Sequence, residues 1–138
     1  MPNNIVETSF HVRYAETDQM GIVHHASYVV WLEEGRSHWI RSRGNSVIQL
    51  EKEGLRIPVS DVQIRYLNSA RYDQLVTVRC WVDNVRSRQM QFSYEIIDPS
   101  TGTIFVKATT RHVCVDEKGV VTKFPEKWRT FLSQGLTA

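Results

Sequence analysis

A chain of 138 residues with 41% hydrophobic content has the size of one ordinary domain, so residues 1–138 are predicted to form a single unit. Seventeen basic and fifteen acidic residues leave a net charge of +2, and no block of Lys or Arg indicates nucleic acid as a partner. The amino-terminal segment lacks a signal-peptide pattern, and no apolar run approaches the ~20 residues needed to span a bilayer. We therefore expect a cytoplasmic protein without membrane insertion.

The first part of the chain contains one strand pattern and one long helix pattern. Residues 7–14 alternate apolar and polar side chains, which predicts a strand with one solvent-facing side. From His25 to Arg43, apolar residues recur at intervals of three and four, which predicts an amphipathic helix. Gly44 suits the left-handed cap that commonly ends a helix, and residues 45–54 are predicted to add a short helix or helical turn.

From residue 57 to residue 114 the apolar pattern has a period of two, which predicts four long strands. Turn-forming residues separate these strands at positions 69–73, 84–88 and 98–102. Such short connections favour antiparallel hairpins. Residues 117–119 are predicted to turn a short terminal strand, and a closing helix is predicted to begin near Pro125. This order predicts an α+β domain whose sheet wraps around one long helix, and its uncovered edge and face favour association with a second copy.

Cysteine and metal-ligand patterns give little support to thiol or metal chemistry. Cys80 and Cys114 lie within apolar strand patterns, which predicts buried structural thiols rather than nucleophiles. Glu34 and His38 are four residues apart, as two metal ligands on a helix can be, but no third ligand has a suitable spacing. We expect the protein to act without a metal ion or a redox cofactor.

The segment between the first strand and the long helix contains the best candidates for chemistry. Asp18 lies in a glycine-containing loop close to the start of the helix, where backbone N–H groups have no partner within the helix. One interpretation is that Asp18 is only a turn residue. The other is that the N–H groups near His25 polarise a substrate carbonyl while Asp18 attacks it or activates a water molecule. A thioester suits such a sparse site, because its thiol leaves without proton delivery.

Seven residues at fixed spacing follow the pattern D-x-x-G-x-V-x-H-x-x-Y-x-x-x-x-E-x-x-R. They are Asp18, Gly21, Val23, His25, Tyr28, Glu33 and Arg36. Here, and over roughly residues 5–116, the chain resembles the 4-hydroxybenzoyl-CoA thioesterase family, including its Tol-Pal-associated acyl-CoA thioesterase branch. The resemblance implies a hotdog fold, in which an antiparallel sheet of five or six strands wraps around one long helix. It also implies a dimer, or a tetramer built from dimers.

The resemblance further implies roles for individual residues. Asp18 would be the catalytic carboxylate, as nucleophile or general base, and the backbone N–H of His25 would donate to the oxyanion. The His25 side chain would touch substrate or assist the water molecule, although a solvent-facing position at the helix start explains it equally well. Gly21, Val23 and Tyr28 are expected around the substrate, and Tyr28 is also explained as a core residue.

Other charged residues have weaker assignments. Coenzyme A carries phosphates, and Arg86 and Arg88 at a predicted hairpin are candidates to bind them, although a solvated turn also explains both residues. Glu33 and Arg36 are expected to form an ion pair or a subunit contact rather than to take part in catalysis. His24 stands where relatives commonly have an aromatic residue, so the acyl group is left open.

The predicted function is hydrolysis of an acyl-CoA to free acid and CoA by a homo-oligomer. The acyl group is aromatic, of the hydroxybenzoyl or dihydroxynaphthoyl kind, or a short to medium aliphatic chain. A thioesterase acting on acyl carrier protein and a non-catalytic acyl-CoA-binding module are the alternatives. A hotdog dehydratase or hydratase is disfavoured, because the sequence shows no suitable pair of acid and base residues elsewhere.

Overall fold

The computed structural model describes residues 2–136 as a five-stranded antiparallel sheet crossed by one long helix. The strands are β1 (Val6–His11), β2 (Val59–Tyr66), β3 (Leu75–Val85), β4 (Gln89–Ile97) and β5 (Ile104–Val113). The helices are α1 (His25–Ser42), α2 (Val47–Lys52) and α3 (Glu126–Leu132), with a short 3-10 helix at Tyr14–Glu16. The predicted α+β class and its three helices are confirmed. Within residues 2–136, no helix is both long enough and apolar enough to cross a membrane.

The strands lie in the order β1-β3-β4-β5-β2, and each neighbouring pair is antiparallel. The predicted hairpins at residues 84–88 and 98–102 are confirmed. The prediction of a third hairpin at residues 69–73 is wrong, because β2 pairs with β5 at the far edge while β1 and β4 flank β3. The segment after β2 instead crosses the end of the sheet, where the carbonyl of Ala70 accepts the Val23 N–H at 2.9 Å.

Helix α1 packs on one face of the sheet through large apolar side chains. Trp31, Leu32 and Trp39 are each at most 1% exposed. Gly35 allows the helix to approach β3, because a Cβ at this position would lie only 2.7 Å from Cγ1 of Val78. The apolar spacing that predicted the helix therefore also identifies the side that is buried.

The first strand is shorter than predicted. It ends at His11, and Tyr14 is 76% exposed in the 3-10 helix rather than paired in the sheet. The chain leaves the sheet because the N–H of Arg13 donates to the carboxylate of Glu16 at 2.7 Å instead of to a neighbouring strand. The predicted strand was too long because the alternation of apolar and polar side chains continues to Tyr14, whereas strand pairing ends at His11.

Residues 117–119 form the predicted turn, but the short terminal strand that this turn was expected to make does not form. Around the turn, residues 2–136 show only the isolated bridges Val115–Val121 and Arg56–Val115. The ladder fails to extend because the Oδ1 of Asp116 takes up the N–H groups of Lys118 and Val120.

A chain of polar side chains is buried beneath α1. The hydroxyl of Tyr94 lies 2.6 Å from that of Thr110, which lies 2.8 Å from Nε2 of His112. Nδ1 of His112 lies 2.9 Å from the carbonyl of Ile57, which can only accept, so Nδ1 carries the proton. Neutral Nε2 then accepts from Thr110, and Thr110 accepts from Tyr94. Only one assignment of donors and acceptors therefore satisfies all of these buried groups.

Candidate active site

Asp18 lies in a tight turn between the 3-10 helix and α1. Its N–H donates to the carbonyl of Ile22 at 2.8 Å, and its Oδ1 accepts the N–H of Met20 at 2.8 Å. Gly21 completes the turn with φ of +79°, a conformation that favours glycine. One carboxylate oxygen therefore holds the turn, and the hydrogen bonds of residues 2–136 give the other oxygen no partner.

The turn folds the chain back as a small hairpin that ends at α1. Thr17 pairs with Val23, and the carbonyl of Glu16 accepts the N–H of His24 at 2.8 Å. Asp18 is two residues from this last pair, which corresponds to about 7 Å along an extended chain. The hairpin thus places Asp18 beside the first turn of α1, as the sequence predicted.

The start of α1 presents a free backbone donor. His24 is the N-cap residue, and its Nδ1 accepts the N–H of Ala26 at 3.2 Å. His25 is the first residue of the helix, and within residues 2–136 its N–H has no hydrogen-bond acceptor. An unpaired N–H at a helix start, next to a carboxylate with an unpaired oxygen, can polarise a carbonyl group while the carboxylate acts on its carbon.

A second turn in the chain repeats the hydrogen bonds of the Asp18 turn and adds one, from the N–H of Val120 to the Oδ1 of Asp116 at 3.0 Å. The Oδ1 of Asp116 accepts the N–H of Lys118 at 2.8 Å. Gly119 donates to the carbonyl of Asp116 at 2.9 Å and has φ of +79°, the same value as Gly21. The turn alone therefore does not distinguish Asp18 from Asp116. What distinguishes Asp18 is its position beside the free N–H of α1.

Glu16 is a residue of this site that the sequence analysis missed. Its Oε1 accepts the N–H of Arg13 at 2.7 Å, and its Oε2 accepts the Arg13 guanidinium at 2.8 Å and Nε1 of Trp31 at 2.6 Å. Burial acts to raise the pKa of Glu16, but these hydrogen bonds outweigh it and hold the pKa below its usual value. The three-residue spacing of Arg13 and Glu16 was a signal that could have indicated the ion pair.

Tyr66 at the end of β2 is a second residue that was missed. Its hydroxyl donates to the carbonyl of His25 at 3.1 Å, and its ring lies edge-on to the His25 ring at 6.4 Å. The rings of His24 and His25 are stacked at 4.5 Å, and both side chains are exposed. Tyr66 is itself 47% exposed, so the helix start carries a solvent-facing group of aromatic rings.

The predicted substrate residues differ in their surroundings. Tyr28 is 2% exposed, its hydroxyl accepts the N–H of Ala70 at 3.0 Å, and burial raises its pKa. Val23 is 4% exposed within the core. Gly21 is required by the turn, whatever its contact with a ligand. The structure thus brings Gly21, Val23 and Tyr28 to the Asp18 region, and their contact with substrate stays a prediction.

Arg86 and Arg88 are not near Asp18 in the same chain. Strand β3 begins near the Asp18 loop, because Arg71 pairs with Ile22 shortly before the strand starts. It then runs for 11 residues to Val85, so the hairpin that carries the two arginines lies about 30 Å away at ~3.3 Å per residue. Binding of coenzyme A phosphates by these arginines stays a prediction, and at this distance it would require the other chain of an oligomer.

The remaining motif residues lie further along α1. Glu33 and Arg36 form no ion pair with each other within residues 2–136, and both line a cavity of about 320 Å³ between α1, α2 and the start of β2. Glu33 is eight residues, or ~12 Å, from His25, so this cavity is distinct from the Asp18 site. The Arg36 guanidinium lies beside the Tyr94 hydroxyl. A subunit contact by either residue stays a prediction.

Thiol and metal chemistry find no support in the described residues. Cys80 and Cys114 are free and buried, and burial raises the pKa of both thiols, which disfavours the reactive thiolate. Within residues 2–136, no group of three or more His, Cys, Asp or Glu residues is arranged to hold a metal ion.

Comparison with known proteins identifies the family. The family model of the thioesterase-like superfamily matches residues 12–132. The chain belongs to the thioesterase-like superfamily. With this match, the resemblance seen in the Asp18 motif and the hotdog arrangement of the sheet and α1 are both confirmed.

This thioesterase-like chain is also similar to individual proteins. It is 38% identical to "Putative acyl-CoA thioesterase YneP" of Bacillus subtilis, over 83% of each chain. It is 30% identical to acyl-CoA thioester hydrolase YbgC of Escherichia coli O6:H1, over 76% of this chain and 78% of that protein. The crystal structure of DHNA-CoA thioesterase from Staphylococcus aureus superposes with a TM-score of 0.87 at 29% identity, covering 94% of this chain and 89% of that one.

Proposed function

We propose that this chain hydrolyses acyl-CoA thioesters to a free acid and CoA, with Asp18 as the catalytic carboxylate. The observation that carries the proposal is that one short hairpin at the start of α1 contains both an Asp18 oxygen and a His25 N–H that have no hydrogen-bond partner within residues 2–136. The names of YneP and YbgC, both acyl-CoA thioesterases or thioester hydrolases, support the reaction class.

In the proposed reaction, the thioester carbonyl oxygen accepts the N–H of His25, which stabilises the negative charge that develops on it. Asp18 either attacks the carbonyl carbon itself or removes a proton from a water molecule that attacks. If water attacks, the carbon–sulfur bond then breaks, and the CoA thiolate leaves and takes up the proton. If Asp18 attacks, the thiolate leaves an acyl–Asp18 anhydride, and a water molecule hydrolyses this anhydride to the free acid, restores Asp18 and supplies the proton to the thiolate. A single oxyanion donor of this kind is typically worth ~100- to 1000-fold in rate.

We further propose that the active unit is a dimer, or a tetramer built from dimers. Strand β2 is an eight-residue edge strand, and its Val59, Val62 and Tyr66 are each more than 40% exposed. A long apolar edge of this kind favours pairing with another strand. Because Tyr66 contacts His25, a second copy paired along β2 would lie next to the proposed site.

Such pairing also supports the assignment of Arg86 and Arg88 to coenzyme A phosphates. In an antiparallel pair with two-fold symmetry, the beginning of one β2 lies beside the end of the other. Val59 pairs with His112 and His112 with Met90, so the hairpin with both arginines lies two strands, or about 10 Å, from the beginning of β2. The arginines of one copy would then approach the Asp18 end of the other.

The proposal is tested by measuring release of free CoA thiol. The panel contains 4-hydroxybenzoyl-CoA, 1,4-dihydroxy-2-naphthoyl-CoA, butyryl-CoA and decanoyl-CoA, which separates aromatic from aliphatic acyl groups. Asp18→Asn keeps the shape and removes the charge, and we expect it to lower kcat/KM by at least about 100-fold on the best substrate. Asp116→Asn is the matched control, because it changes the equivalent turn away from α1 and should leave kcat/KM within about twofold.

Near-normal turnover by Asp18→Asn would refute the assigned role. Failure of the unmodified protein to hydrolyse any of the four thioesters would point instead to an acyl carrier protein substrate or to a non-catalytic acyl-CoA-binding module. An acyl-phosphopantetheine carrier protein in the same assay distinguishes these two alternatives.

A further inference from the structure

We propose that Glu16 is a positioning residue that fixes Asp18 relative to the free N–H of α1. This inference rests on the proposed function of Asp18. Glu16 precedes Asp18 by two residues, and five hydrogen bonds from outside the residue converge on its side chain and its carbonyl group. Both of its carboxylate oxygens accept hydrogen bonds from protein donors, so we assign its effect to the position of Asp18 and not to contact with the substrate.

The two ends of Glu16 hold different parts of α1. Its carbonyl accepts the N–H of His24 at 2.8 Å and the hydroxyl of Ser27 at 3.2 Å, both in the first turn of the helix. Its carboxylate accepts the indole N–H of Trp31 at 2.6 Å, one turn further along. Trp31 is 1% exposed in the core, so the side chain of Glu16 ties the Asp18 segment to the rigid part of the helix.

The charge of Glu16 is needed to keep this connection. Arg13 and Trp31 direct three N–H groups at the two carboxylate oxygens. A glutamine side chain has one acceptor oxygen and one NH₂ group, so at least one of these N–H groups would face another donor. Hydrogen bonds to a carboxylate are also roughly twice as strong as bonds to a neutral acceptor. Glu16→Gln therefore loosens the segment that carries Asp18 without changing its volume.

A displacement of this segment should affect the reaction more than the binding of substrate. Misplacement of a reacting group by about 1 Å can lower the rate by ~100-fold. Asp18 and the N–H of His25 belong to two segments that Glu16 connects. Arg86 and Arg88, which we propose to bind the coenzyme A phosphates, are not among the hydrogen-bond partners of Glu16. We therefore expect kcat to fall by about 10- to 100-fold in Glu16→Gln, with KM within about threefold.

The chain contains a matched carboxylate that separates positioning from general stability. Glu53 also accepts an indole N–H, from Trp128 at 3.1 Å, together with Lys127 at 2.6 Å and Gln49 at 2.8 Å. It connects the end of α2 to α3, and none of these three partners belongs to the Asp18 hairpin or to α1. Glu53→Gln thus removes the same kind of contact, and its kcat should stay within about twofold of the unmodified protein.

The experiment measures kcat, KM and thermal midpoint for Glu16→Gln, Glu53→Gln, Asp18→Asn and the double variant Glu16→Gln/Asp18→Asn. The substrate is whichever of the four panel thioesters is hydrolysed fastest. Because Glu16 acts through Asp18, Glu16→Gln should change the residual rate of Asp18→Asn by less than about twofold. The same loss of kcat in Glu53→Gln, or an undiminished effect in the Asp18→Asn background, would overturn the inference.

A second pair of variants covers the case in which Glu16→Gln does not fold. Trp31→Phe removes only the indole N–H that reaches Glu16, and Trp128→Phe removes the equivalent donor to Glu53. We expect a several-fold loss of kcat in the first and none in the second, and equal rates in the two would again overturn the inference. If Asp18→Asn itself stays active, the proposed function fails first, and this result is distinguishable from a failure at Glu16 alone.

Discussion

Lowering the pH from 7 to 5 should destabilise the folded chain through His112. This side chain is 1% exposed, and its neutral form is bound on both nitrogens, to the Ile57 carbonyl and to the Thr110 hydroxyl. A second proton on Nε2 would face the hydrogen that Thr110 donates and would place a positive charge in the core near Arg36. Burial first, and Arg36 second, therefore lower the pKa of His112 to about 4.

The magnitude follows from the difference between the folded and unfolded pKa values. The folded pKa of about 4 is lower than the ordinary value of 6.5, so between these values the unfolded chain binds more protons than the folded chain. Stability is therefore complete above pH 6.5 and declines as the pH falls towards 4. Between pH 7 and pH 5, the difference in bound protons summed over the pH change is ~1.4 pH units. At 1.36 kcal/mol per unit, the free energy of unfolding falls by about 2 kcal/mol.

Urea unfolding followed by tryptophan fluorescence at fixed chain concentration measures this loss. The pKa values of Glu16 and Asp98 are lowered from 4.5 and 3.8, so these carboxylates titrate below the pH window used. His112→Asn keeps a donor near the Ile57 carbonyl but cannot titrate, so we expect lower stability at pH 7 and almost no further loss at pH 5. His11→Gln, on the exposed side of β1, is the matched control and should retain the full pH dependence.

Two results would refute this reasoning. One is a loss of less than about 0.5 kcal/mol in the unmodified protein between pH 7 and pH 5, which would mean that His112 is not held neutral. The other is an unchanged pH dependence in His112→Asn, which would assign the titration to another group.

Two further predictions concern packing and association. Gly35→Ala should lower the free energy of unfolding by about 1–3 kcal/mol in urea, because the new Cβ would lie 2.7 Å from Cγ1 of Val78; a loss below 0.5 kcal/mol would contradict the close approach. Val62→Lys places a charge among the exposed apolar side chains of β2 that the proposed pair would cover, so sedimentation should shift from an oligomer towards a single chain. Gln63→Lys replaces a side chain that is already polar, on the other face of β2, and should not cause this shift; an unchanged oligomer in Val62→Lys would refute pairing along β2.

Periodicity was sufficient to predict the elements but not the position of every strand. The helix at His25–Ser42 and the two hairpins after β3 and β4 were predicted, because their apolar spacing and turn residues are local. The position of β2 was not predicted, because its partner β5 is about 40 residues away along the chain and no turn residue records that pairing. Non-local pairing is decided by which edges of the sheet remain free.

The site, like the fold, could be predicted where its residues are close in sequence and not where they are distant. Asp18 and His25 lie seven residues apart in one motif, so their proximity could be inferred from the sequence. Tyr66 contacts His25 from 41 residues away, and Glu16 contacts Trp31 from 15 residues away. Both contacts exist only after β1, β2 and α1 have packed together. The residues that hold the site in place were therefore less visible than those proposed to carry out the reaction.

The two equivalent turns at Asp18 and Asp116 show what a short motif can establish. Both have an aspartate three residues before a glycine with φ of +79°, and in both the Oδ1 accepts the N–H two residues later at 2.8 Å. Local sequence therefore accounts fully for the turn, and it would do so without any reaction taking place. The Asp18 turn differs because its hairpin leads directly into α1, and because Glu16 ties this hairpin to the first turn of α1 and to Trp31 in the core. If chemistry depends on that placement, Asp18→Asn and Asp116→Asn should cost similar stability and differ only in turnover.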